Sequence, residues 1–212
     1  MFDALFFDLD GTLIDTESIA LSTGIAAFAA AGVTVDADFM HGLIGLDQAS
    51  VAQIIRSRFP QADLDAIRHD WGAGFDAGVN AGLPLKPGVM PLLQATEGRR
   101  RALVTSTARA GAHHKLAVAG LTGFFDHVVT FDDVTEPKPA PAPYLLAANL
   151  FGCDPARCLV FEDSEIGAEA AWRAGCTVVQ VPDILPSQGR WAHHLAPDLL
   201  TGARSAGLIG PA

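Results

Sequence analysis

Ala4-Leu5-Phe6-Phe7-Asp8-Leu9-Asp10-Gly11-Thr12 begins with an unbroken apolar run that stops abruptly at a carboxylate. A run so short, without polar alternation, predicts a strand covered on both faces, and Gly11 permits a tight turn just beyond it. Similar runs return at Ala102-Leu103-Val104, Val128-Val129, Leu159-Val160-Phe161 and Thr177-Val178-Val179-Gln180-Val181, each bounded by polar or Gly/Pro residues. Helical patterns lie among them. Leu92 and Leu93 precede Gly98, Leu116 precedes Gly120, Leu145, Leu146 and Leu150 follow Pro143, and Ile166, Ala170 and Ala174 lead to Gly175. Strands alternating with helices predict βαβ units, hence an α/β fold with a Rossmann-like parallel sheet and helices on both faces.

About ninety residues separate the first strand from the second, far more than one crossover needs. Apolar residues there recur at helical spacing: Leu21, Ile25 and Phe28; Val51, Ile54, Ile55 and Phe59; Leu64, Ile67, Trp71 and Phe75. We therefore expect an inserted all-helical domain over residues 15–85, with residues 1–14 and 86–212 forming the α/β core. The stretch from Gly82 to Gly88 has the composition of a linker. Gly72 to Ala77 matches a dinucleotide-binding pattern by letter, but it follows helical spacing and no strand, so a chance match is expected.

The chain of 212 residues is 50% hydrophobic and 18% charged, ample for a packed interior, and its net charge is −10. With no basic stripe, that charge argues against nucleic acid as a partner. The N-terminus lacks the pattern of a signal peptide, and the apolar segment from Ile19 to Ala31 is short and interrupted, so no membrane association is expected. The cysteines Cys153, Cys158 and Cys176 have no zinc or disulfide spacing, which suits a reducing compartment. A cytoplasmic monomer is the expectation.

In open α/β sheets ligands gather at the carboxyl ends of strands, where Asp8 and Asp10 fall. Two carboxylates so close repel unless a cation sits with them, and oxygen ligands suit Mg²⁺. With such an ion on phosphate oxygens, one carboxylate can attack phosphorus while the other manages protons. Asp-Gly is also an ordinary turn, so later strand ends carry weight. Thr105-Ser106-Thr107 follows the second strand with hydroxyls and amides suited to phosphate, although Ser and Thr are ordinary helix caps too. Lys138 precedes a run rich in proline, and Glu162-Asp163-Ser164 places a second acidic pair at a strand end.

Taken in order, Asp8 to Thr12, Thr105 with Ser106, Lys138 with its prolines, and Phe161-Glu162-Asp163-Ser164-Glu165-Ile166-Gly167 continued to Gly175 resemble the haloacid dehalogenase superfamily over nearly the whole chain. The helical insert resembles that family's small α-helical cap. The resemblance implies that Asp8 is a nucleophile forming an aspartyl-phosphate and that Asp10 is the general acid and base. It implies Mg²⁺ held by Asp8, the Asp10 carbonyl and Asp163, with Glu162 acting through water. Thr105, Ser106 and Lys138 would bind the phosphoryl group. Thr16, Glu17, Gly45, Leu46 and Asp47 are the candidates for contacting substrate from the cap. The implied activity is hydrolysis of a small phosphorylated metabolite such as a sugar phosphate.

Asp10 disfavours dehalogenation, since dehalogenases lack an acid there, and the first motif is not the phosphonate-cleaving form. The β-phosphoglucomutase type is the nearest alternative. Its cap histidine is replaced here by Ala20 and its cap arginine falls near Gln48, which favours water as the final acceptor. A non-catalytic binding protein of the same fold is the alternative from another class. A phospho-accepting receiver domain shares an Asp at a strand end but lacks the paired acid and the insert. The pairs His113-His114 and His193-His194 read as surface residues and Trp71 and Trp172 as packing, while Lys86 and Arg109, each close to a hinge or strand end, could supply a cation to an anionic substrate but read first as solvent-facing.

Overall fold

The computed structural model describes residues 1–43, 46 and 48–210. The chain divides into two compact units, Met1–Asp15 with Pro84–Ala212, and Thr16–Leu83.

In the first unit, strands β1 (Ala4–Phe7), β2 (Arg100–Val104), β3 (His127–Val129), β4 (Cys158–Glu162), β5 (Thr177–Gln180) and β6 (His194–Leu195) form one sheet in the order β3-β2-β1-β4-β5-β6. Every neighbouring pair is parallel. This is the doubly wound order, and its direction of winding reverses between β1 and β4. Phe7 lies opposite Phe161 across that boundary, their rings stacked with centroids 5.0 Å apart. Asp8 and Glu162 therefore stand side by side at the crevice where strand order reverses.

Because side chains alternate along a strand, Ala4, Phe6, Ala102, Val104, Val160 and Val178 share one face and pack with Tyr144, Ala147, Ala168 and Ala171. Those last four belong to α7 (Ala142–Phe151) and α8 (Glu165–Arg173). On α9 (Leu199–Ser205), a Cβ at Gly202 would overlap Val179, so that helix sits close against β5. α5 (Val89–Ala95) buries Leu92 and Leu93, and α6 (Arg109–Val118) buries Ala112 and Leu116. Residues 13–15 meet residues 84–86: Ile14 bridges Leu85, the Asp15 amide donates to Pro84 O, and the Lys86 amide donates to Leu13 O.

The second unit is helical: α1 (Glu17–Ala30), α2 (Ala37–His41), α3 (Gln48–Arg58) and α4 (Leu64–Ala81). Phe28, Met40, Leu43, Ala52, Ile55, Leu64 and Ile67 form its core, with Trp71 packed against it. Glycines let α1 and α4 approach closely, since a Cβ at Gly24 would overlap Met40 and Trp71 and one at Gly78 would overlap Ile19. Gly72 and Gly74 lie within α4 and follow no strand, so the glycine pattern there has no Rossmann turn.

The short elements α2, β6 and α9 have no counterpart among the sequence expectations. Trp172 departs from the expected packing role: it is 48% exposed, with its ring 5.0 Å from that of Trp191.

Candidate active site

Asp8 follows β1 and is buried, its amide donating to Phe161 O at 3.0 Å. Its carboxylate lies beside those of Glu162 and Asp163 at the end of β4. Lys138 reaches the same point from the segment before α7. Its ammonium donates to Asp8 Oδ1 at 2.7 Å, Glu162 Oε1 at 2.6 Å and Val104 O at 2.9 Å. Glu162, the last residue of β4, is fully buried and also accepts from Tyr144 Oη at 2.5 Å and Ser164 Oγ at 3.3 Å. Asp163 accepts from Thr12 Oγ1 at 3.2 Å, and its carbonyl accepts from Gln180 Nε2 at 3.3 Å.

Two glycines make this crowding possible. Gly11 has φ of 81°, and a Cβ there would overlap the Asp163 carboxylate. Gly167, in the first turn of α8, lies so close to Glu162 that a Cβ would overlap its carboxylate. Ser164 caps that helix, accepting from the Gly167 amide at 3.0 Å.

Oxygens of Asp8, Glu162 and Asp163 lie within 4.8 Å of one another. Burial pushes the Asp8 carboxyl up to about 7, with Lys138 opposing the rise and Glu162 adding to it. Burial also drives Asp163 well above the usual carboxylate range, helped by Asp8 and Glu162. For Lys138 burial works against the charge, but Asp8 and Glu162 outweigh it and hold the ammonium above the ordinary lysine range. Three carboxylates thus face one ammonium, a surplus of two negative charges when all are ionised. Hard oxygen donors with that surplus fit a divalent hard cation.

Asp10, two residues on, is tied to a different segment. Its Oδ2 accepts from Thr107 Oγ1 at 2.7 Å and its Oδ1 from Lys115 Nζ at 2.6 Å. Thr105 is buried, its hydroxyl accepting from the Thr107 amide at 3.1 Å, whereas Ser106 is exposed. Burial and the Glu162 charge push the Tyr144 phenol well above its ordinary value.

Of the carboxylates named from sequence, Asp8, Glu162 and Asp163 come together with Lys138, whereas Asp10 is held by Thr107 and Lys115, and Thr105 lies at the end of β2, which pairs with β1. Among the substrate candidates, Thr16 is buried ahead of α1, Glu17 opens that helix and Leu46 is exposed. Gly45 and Asp47 lie outside the described residues. Lys86 pairs with Asp183, and Arg109, half exposed, pairs with Asp133. His113 and His114 are exposed, while His193 Nδ1 accepts from the Val178 amide at 3.1 Å. Tyr144 and Lys115 were missed. Tyr144 had one signal, as the chain's lone tyrosine directly after the prolines that follow Lys138.

Comparison with known proteins points the same way. Residues 2–175 match the family model for haloacid dehalogenase-like hydrolases. Fructose-1-phosphate phosphatase YqaB of Escherichia coli K12 is 36% identical over 181 residues, covering 84% of this chain and 95% of that protein. A phosphorylated carbohydrates phosphatase of Thermotoga maritima is 30% identical, covering 82% of each chain. The crystal structure of a HAD family hydrolase from Deinococcus radiodurans R1 with bound phosphate and sodium superposes with a TM-score of 0.87 at 27% identity, covering 100% of this chain and 99% of that one. With its acidic crevice at the reversal of the sheet and a family match over most of its length, this chain belongs to the haloacid dehalogenase-like hydrolases.

Proposed function

We propose that the chain is a Mg²⁺-dependent phosphomonoesterase that transfers the phosphoryl group of a small sugar phosphate to Asp8 and then to water. The observation that carries this reading is the Lys138 ammonium bridging Asp8 and Glu162, with the Asp163 carboxylate beside them. The phosphatase names of the two curated relatives and the phosphate bound in the Deinococcus protein support the same class.

In this mechanism Asp8, Asp163 and the Asp10 carbonyl would hold the ion, with Glu162 acting through water. Such an ion would supply positive charge to offset that of the phosphoryl oxygens. Asp8 attacks phosphorus as the ester bond breaks, and Asp10 gives its proton to the leaving alkoxide. Asp10, now ionised, takes a proton from water as that oxygen bonds to phosphorus and the bond to Asp8 breaks. Lys138 balances the phosphoryl charge, and Thr105 with Ser106 holds the remaining oxygens. Selection among alcohols is assigned to the helical unit as a cap, through Thr16, Glu17, Gly45, Leu46 and Asp47. Ala20 has no side chain able to carry a proton to a second sugar hydroxyl, so water is the acceptor.

A phosphate-release screen over sugar phosphates, with and without Mg²⁺, tests this directly. Release should require the ion and fall on the order of a thousandfold or more in Asp8→Asn. Turnover by Asp8→Asn at the wild-type rate, with deamidation excluded, would remove the covalent mechanism. Conversion of a hexose 1-phosphate to its 6-phosphate without net phosphate release, followed by NMR, would replace hydrolase with mutase.

A further inference from the structure

Asp10 receives help from a residue that the strand-end motifs do not contain. Lys115 is the seventh residue of α6, which starts just past Thr105-Ser106-Thr107. Side chains on a helix lean toward its N-terminus, and the four-carbon stem of lysine extends that lean. The Lys115 ammonium reaches Asp10 Oδ1 at 2.6 Å and lies 3.5 Å from Thr107 Oγ1, which itself donates to Asp10 Oδ2 at 2.7 Å. Both carboxylate oxygens are thus held by donors from one β2–α6 segment, which fixes the plane of the carboxylate as well as its position. The pair is sheltered, the Lys115 and Asp10 side chains being 14% and 26% exposed. Exposed lysine pairs contribute little because the long chain stays mobile, but covering the stem restrains it.

We propose that Lys115, acting with Thr107, is the positioning residue for Asp10. This rests on the phosphomonoesterase reading. The two half-reactions ask different things of Asp10. In the first its proton goes to the departing alkoxide, which matters for a sugar alcohol and hardly at all for nitrophenolate. In the second its carboxylate must face the attacking water and take a proton from it, whatever group has left. A displaced Asp10 therefore slows both steps with a sugar phosphate, but only the second with an aryl phosphate.

The test uses Lys115→Met, Lys115→Arg and Thr107→Val in the full chain with Mg²⁺, with fructose 1-phosphate and 4-nitrophenyl phosphate as probes. Lys115→Met should lower kcat on fructose 1-phosphate by about ten- to a hundredfold with KM within about twofold of wild type. On 4-nitrophenyl phosphate, rapid mixing should show a burst of about one nitrophenolate per enzyme followed by slow turnover. Lys115→Arg, which keeps the cation, should restore most of kcat and remove the burst. Thr107→Val should move the same readouts more weakly and serves if Lys115→Met does not fold. A Lys115→Met enzyme with wild-type kcat overturns the inference, as does one whose loss is equal on both probes, lacks a burst and appears in KM. Wild-type protein that releases no phosphate from any probe sinks the phosphomonoesterase reading and this inference with it, whereas active wild type beside an unaffected Lys115→Met sinks the inference alone.

Discussion

Glu162 Oε1 sits between two donors, the Lys138 ammonium and the Tyr144 hydroxyl. Tyr144→Phe would remove one of them from a carboxylate that has no exposure to water. A hydrogen bond to a buried charge contributes about 1.5–3 kcal/mol, so urea unfolding of metal-free protein should show a loss in that range. An unchanged midpoint would mean that the hydroxyl contributes nothing to holding Glu162. Lys138, nine residues beyond the end of β3, was marked by the prolines after it, while Asp8 with Asp10 and Glu162 with Asp163 were legible in the sequence because strand ends announce themselves: an apolar run stops and a charged residue follows. Tyr144 and Lys115 were not, for the opposite reason. Each lies inside a helix, where Tyr144 merges into an apolar face and Lys115 looks like any solvated lysine. Only the three-dimensional return of α6 and α7 to the sheet shows what those side chains touch.

α8 illustrates how an element can be constrained more by its neighbour than by its own propensity. Alanine is the better helix former, by about 1 kcal/mol over glycine, so Gly167→Ala should stabilise α8 taken alone. In the fold, a Cβ at that position would overlap Glu162, which cannot retreat because Lys138 and Tyr144 hold it. Gly167→Ala should therefore destabilise the protein, by about 1–3 kcal/mol. Gly72 supplies the contrast, as it lies exposed within α4 with nothing near the position of a Cβ. Gly72→Ala should raise stability by about 0.5–1 kcal/mol in the same thermal or urea assay. Opposite signs are the expected result, and a stabilising Gly167→Ala would show that Glu162 has room to move. The longer elements were readable, α1, α3 and α4 of the inserted unit from periodicity and α6 to α8 of the core from apolar residues set against a flanking proline or a closing glycine. β6, with two residues, and α2, with five, are shorter than the window over which a period can be recognised. α9 buries Leu199, Gly202 and Ala203, a face too small and too weakly apolar to stand out.

The molecule as a whole carries a charge of −10, and within it the crevice sets three carboxylates against one ammonium, so on the proposed reading a phosphate monoester meets repulsion at long range, and at short range wherever those carboxylates are ionised. On the proposed reading, inorganic phosphate should therefore bind measurably with Mg²⁺ and not without it. The same balance sets a pH dependence whose sign can be worked out. Asp8 has its folded pKa raised to about 7, chiefly by burial, above an unfolded value of about 3.9. A raised carboxyl stabilises the metal-free fold fully below about pH 4, and that contribution is lost as pH climbs toward 7. Mg²⁺ needs the ionised carboxylate and so competes with the proton, with Asp163, also raised, competing in the same sense. Affinity for Mg²⁺ should therefore rise by about tenfold or more per pH unit below about 7. The gain in melting temperature on adding Mg²⁺ should be larger at about pH 8 than at about pH 5.5. Calorimetry in buffers of different ionisation enthalpy reads the released proton directly. Affinity independent of pH below about 7, or binding without proton release there, would mean that Asp8 and Asp163 are already ionised in the metal-free protein.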